Sequence, residues 1–154
     1  MNLSISRKGV LLLASLILVC LMADKVSLSP AQPPLPNPVI TFVGQEFYQA
    51  NGKQWIRYKY MVTNFADYPN EMFAAAPDLP PCGLNKKSSR TWVDIYDSRG
   101  KRLYGFCALS NHNDLGKLWF ALETDVTPSS YVYIELNDRK TNTKYKSNLA
   151  ETTP

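Results

Sequence analysis

The sequence is poor in the residues that most metal and hydrolytic sites require. Its 154 residues hold one histidine, three cysteines and seven glycines. His112 with two cysteines outside the N-terminal segment cannot supply a tetrahedral zinc set. No Gly-x-Ser-x-Gly elbow and no glycine-rich phosphate loop occurs, so neither an activated serine nor nucleotide binding has a motif behind it. Charge is also scarce: charged residues make up 19 %, which excludes a charged disordered tail and a coiled coil. The formal charge of +4 falls to +2, with 15 basic against 13 acidic residues, once Arg7 and Lys8 are set aside. A balance that small argues against a nucleic-acid partner. Lys86, Lys87 and Arg90 form one short basic cluster, and Arg139, Lys140, Lys144 and Lys146 form another. Clusters of this size solvate turns and discourage edge strands from aggregating. Asp97, Asp114, Asp125 and Asp138 lack EF-hand spacing and read as turn and cap residues, so no metal or cofactor is expected.

What the chain does have begins at its N-terminus. Arg7 and Lys8 precede an apolar run from Val10 to Ala23, broken only by Ser15. That run suits the core of an export signal and falls short of the ~20 residues a relaxed membrane-spanning helix needs. Cleavage after Ala23 or after Ala31 is compatible with the small residues there. Two alternatives stay open: an uncleaved anchor, and lipid attachment at Cys20, which the large Val19 before it disfavours. Residues 1–31 are therefore assigned to a hydrophobic signal helix with a proline-rich start. Residues 32–38, rich in proline, read as an extended polyproline-II spacer. The expected address is periplasmic or extracellular, with membrane contact only through the N-terminal segment.

From Val39 the apolar residues recur with period two. Ile40, Phe42 and Gly44 are expected on one side of a first strand. Asn51-Gly52 signals a tight hairpin, since both residues tolerate positive φ. Next, Ile56, Tyr58, Tyr60 and Val62 alternate with Trp55, Arg57, Lys59, Met61 and Thr63, the pattern of a sheet with one buried face. Residues 64–89 are broken by prolines and read as a long crossover loop with a helical turn over 71–76. Long ordered loops are frequent binding surfaces. Further strands are expected over 91–96, 102–109, 117–122, 131–137 and 143–149. Gly100 sits in one turn, and a capped helical turn lies near Ser110 and Asn111. The domain is placed at 39–150, with 151–154 as a tail.

The run Arg57–Asn64 resembles an early strand of fibronectin-type-III and immunoglobulin-like modules, and Tyr131–Asp138 with its following hairpin resembles their last one. The likeness implies an all-β fold: an antiparallel β-sandwich of about seven strands. It implies no function, because such folds host many.

Two site expectations follow. Cys82 and Cys107 are the cysteines left after the signal, and an even pair in an exported chain reads as a disulfide. The competing reading, a catalytic thiol, would have to use His112 as its base. The second concerns the eighteen aromatic residues. Alternation puts Trp55, Tyr131 and Tyr133 opposite the apolar rows, where rings can meet a glycan or a protein. The function expected is a non-enzymatic exported binding module for an envelope or extracellular protein or glycan. The alternatives are a small secreted enzyme inhibitor acting through residues 64–89 and, last, an enzyme.

Overall fold

Two residues with positive φ, Asn51 at 53° and Gly52 at 74°, close the first hairpin. This two-residue turn matches the twist of the strands it joins. The strands are β1 (Ile40–Ala50) and β2 (Lys53–Val62). The computed structural model describes residues 34–81, 89–107 and 109–153. The remaining strands are β3 (Thr91–Asp97), β4 (Arg102–Phe106), β5 (Leu118–Glu123), β6 (Tyr131–Asp138), β7 (Thr143–Lys146) and β8 (Ala150–Glu151). Every pairing between them is antiparallel.

The strands form two sheets. One has the order β1-β2-β5, and the other β4-β3-β6-β7, with β8 also paired to β6. Tyr58, Tyr60 and Val62 of β2 join Leu118 and Phe120 of β5 in the same apolar cluster as Val93, Ile95, Val132, Ile134 and Leu136 of the larger sheet. The two inward faces thus share one core, and the period-two pattern of β2 and β6 falls where expected. Phe120 stacks between Tyr58 and Tyr60, with centroids 5.0 and 6.0 Å away. Offset ring pairs of this kind add to the burial term.

β1 departs from simple alternation. Ile40 and Phe42 face inward opposite Val62 and Tyr60, but a bulge between Phe42 and Gly44 shifts the register. Gly44 has φ 149°, which a side chain rarely adopts and glycine tolerates. Gly44 therefore lies opposite Lys59 on the outer face, not with Ile40 and Phe42 as the period suggested. Every later residue of β1 changes sides with it.

The segment 64–81 is not a free loop. Its helical turn is a 3-10 turn at Asn70–Phe73, and Tyr68, Met72 and Phe73 are sunk in the core. Leu35 packs against the same core, and the Tyr68 hydroxyl donates to the Pro36 carbonyl at 2.7 Å. The last residues of the proline-rich stretch are thus bound to the domain. At the far end, pairing continues through Glu151, and Thr152 is buried, donating its N–H to the Ser130 carbonyl.

Of the aspartates read as turn and cap residues, Asp97 and Asp114 act locally, whereas Asp138 is buried and holds Arg90 from across the sheet, so neither Asp138 nor Arg90 merely solvates a turn. Asp97 accepts the backbone N–H groups of Arg99 and Lys101, each at 2.9 Å. Asn111 and Asp114 form a capping box on the 3-10 turn His112–Lys117.

Candidate binding surface

Outward residues of the smaller sheet come from three strands at fixed register. Tyr48 lies opposite Trp55, and Glu46 opposite Arg57. On the other side of β2, Arg57 faces Ala121 and Lys59 faces Trp119. The small Ala121 leaves room across the strand, so Arg57 reaches its diagonal neighbours. Its guanidinium carbon sits 4.8 Å from the Tyr48 ring centre and 4.7 Å from that of Trp119. Beyond, Tyr48 stacks on Trp55 at 6.5 Å. Trp119 stacks on Tyr104 of β4 at 5.0 Å and meets Phe106 edge-on at 6.0 Å.

The result is one continuous row of planar groups: Trp55, Tyr48, Arg57, Trp119, Tyr104. It starts at the hairpin end of β2 and crosses from β5 of one sheet to β4 of the other. Arg57 is held as a cation between two ring faces, the arrangement that the ring quadrupole favours. Ring and guanidinium faces cover one another where neighbours stack, at Tyr48, Arg57 and Trp119.

Charges flank the row. Lys59 pairs with Glu46 at 2.8 Å, and the same carboxylate oxygen lies 3.5 Å from Arg57. The Lys59 hydrogen bond, then its charge, holds the Glu46 carboxyl below its ordinary range. Lys53 pairs with Glu123 at 2.6 Å at the hairpin end. Beside the row, Val43, Glu46, Arg57, Lys59, Tyr60, Gly116, Lys117, Leu118 and Trp119 line a cleft of about 240 Å³. A larger cleft of about 540 Å³ runs between β1 and β8, and Glu151 is the one charged residue among the described residues that line it.

The structure separates the three aromatic residues singled out from sequence. Trp55 belongs to the row. Tyr131 and Tyr133 stand on β6 of the other sheet. Tyr131 is 42 % exposed, whereas Tyr133 is 8 % exposed, stacked on Tyr96 and covered by the Lys146 ammonium 4.1 Å from its ring centre. Tyr133 is thus a covered ring rather than a free one. Arg57, Trp119, Tyr48 and Tyr104 were not singled out.

His112 is half-buried: its Nδ1–H donates to the Tyr68 carbonyl at 2.9 Å and its ring leans on Phe65. Cys107 is half-buried just past β4, and Cys82 lies outside the described residues. So does the segment read as an export signal, Cys20 included. No group of three or more His, Cys, Asp or Glu side chains could hold a metal among the described residues. No helix among them is long and apolar enough to cross a membrane.

No family model matches the chain, and neither a curated protein nor a solved structure matches it.

Proposed function

We propose that this chain is an exported, non-enzymatic binding module that engages an envelope or extracellular partner through the outer face of the β1-β2-β5 sheet. Export is supported by the layout of residues 1–23. The immunoglobulin-like or fibronectin-type-III-like sandwich is supported by two antiparallel sheets with one shared core. A disulfide between Cys82 and Cys107 fits the same oxidising address.

The observation that carries the reading is the row from Trp55 to Tyr104. It spans two sheets, and Tyr104 within it is exposed. Aromatic and arginine anchors of this kind dominate binding energy at protein surfaces. The inhibitor reading has less behind it, because Met72 and Phe73 of the 64–89 segment serve the core rather than a partner.

The test compares sedimentation of the full chain with washed envelopes of the producing cell before and after substitution. The double variant Trp55→Ala/Trp119→Ala is expected to bind at least ~10-fold more weakly, the loss of about one hot-spot side chain. Tyr131→Ala is expected to bind normally. Equal binding by the double variant, with its far-ultraviolet spectrum unchanged, overturns the proposal.

A further inference from the structure

The ~240 Å³ cleft beside the row has an uneven lining. Three cations, Arg57, Lys59 and Lys117, border it against one carboxylate, Glu46. Glu46 is shared: it holds Lys59 at 2.8 Å and reaches Arg57 only at 3.5 Å. Arg57 Nε is buried without a hydrogen-bond partner. Its guanidinium faces are covered by Tyr48 and Trp119, so whatever engages it further must come in the guanidinium plane. Its Nη1 is held by Glu46 only at 3.5 Å, and a planar fork so loosely engaged is well matched to a carboxylate or sulfate. Lys117 is exposed where it lines the cleft. Asp114 is taken up by Ser110 and Asn111.

The apolar side chains that reach the cleft from outside are Val43 and Trp119, since Tyr60 and Leu118 of the lining are turned into the core and Gly116 has no side chain. A ligand suited to it has a compact C–H body and an anionic rim. We propose that the cleft takes one anionic sugar unit, carboxylated or sulfated, of an acidic polysaccharide that runs along the Trp55–Tyr104 row. This rests on the binding face proposed above and names its ligand class. The row favours the same sign of partner, since it holds a cation, Arg57, between the Tyr48 and Trp119 rings. A nucleic acid is the weaker match, because the chain outside the N-terminal segment has a balance of only +2.

The experiment is calorimetric titration of the full chain with three probes: heparin oligosaccharide for sulfate, oligogalacturonate for carboxylate, and dextran as the uncharged control. At least one acidic probe is expected to bind, the stronger identifying the anionic group, with affinity falling as salt rises. Lys59→Ala/Lys117→Ala is expected to lose about tenfold or more, the size of a lost charge-assisted hydrogen bond. Both lysines are at the surface, so the variant keeps the fold. Dextran binding as tight as the acidic probes, no binding by either acidic probe, or unchanged affinity in the double variant overturns the inference. Envelope binding by the wild-type chain that survives excess of both acidic probes discards the sugar ligand and leaves the binding face standing.

Discussion

Arg90→Ala is expected to destabilise the domain by about 3 kcal/mol at pH 7, the low end of the cost of breaking a buried ion pair. Arg90 grips Asp138 with two donors, Nε to Oδ1 at 2.8 Å and Nη2 to Oδ2 at 2.5 Å. The Asp138 side chain is 3 % exposed and that of Arg90 23 %, so water can soften the loss but not replace the pair. Removing the arginine leaves a carboxylate in the interior with only the Lys140 N–H and a hydroxyl near it. Arg90 also fixes chain direction: its backbone N–H donates to Ala74 and its carbonyl accepts from Arg139. Those backbone bonds survive the substitution, which isolates the charge effect. Replacing both partners, as Arg90→Met/Asp138→Leu, is expected to cost less than Arg90→Ala alone.

The sign of the pH effect follows from Asp138. Burial pushes its pKa up, but the Arg90 hydrogen bonds and charge, with Lys140 and Thr141, outweigh that and leave it below the ordinary carboxylate value. A lowered folded-state pKa stabilises above the unfolded value, near 4, and the contribution drains away as pH falls through the lowered one. Urea unfolding should therefore show the full gap between wild type and Arg90→Ala at pH 7. At about pH 2 the gap should be smaller, because the carboxyl takes up its proton as pH falls through the lowered pKa. A gap of the same size at both pH values would refute the ion pair as its origin.

Phe120→Ala is the second large effect, with about 3–5 kcal/mol lost. The side chain is 1 % exposed and stands between two tyrosine rings at interplanar angles of 16° and 13°. Truncation removes the transfer energy of the ring, opens a cavity at the centre of the smaller sheet and ends both stacks. Phe120→Leu keeps most of the volume and should cost less than half as much. The reading is the guanidinium midpoint with the slope m unchanged. Since small domains are stable by only about 5–15 kcal/mol, the alanine variant should sit near its threshold. A loss under about 1 kcal/mol would mean that Phe120 does not hold the two sheets' common core.

How far the sequence disclosed this structure depends on the kind of signal. β2 and β6 were readable because period-two alternation needs no partner: Tyr58, Tyr60, Val62, Val132, Ile134 and Leu136 fall inward as their spacing dictates. The Asn51-Gly52 turn was readable because its backbone demand is local. The binding row was not. Tyr48 reaches the outer face only because the Phe42/Gly44 bulge inverts β1, and without it Tyr48 would point inward. A lone glycine in an alternating run was the available hint. Trp119 and Tyr104 become neighbours because β5 and β4 meet where the two sheets adjoin, a tertiary fact that no local pattern encodes. Tyr133 went the other way. Alternation placed it outward correctly, but could not show that Tyr96 and Lys146 cover it.

The binding face itself is tested most directly by hydroxyl-radical footprinting of the full chain, free and bound to washed envelopes of the producing cell. Protection is expected at Tyr48, Trp55, Tyr104 and Trp119, with Tyr131 reacting equally in both states. Protection centred on Tyr131 and Val126, with the four ring positions of the smaller sheet and β4 unchanged, would contradict it.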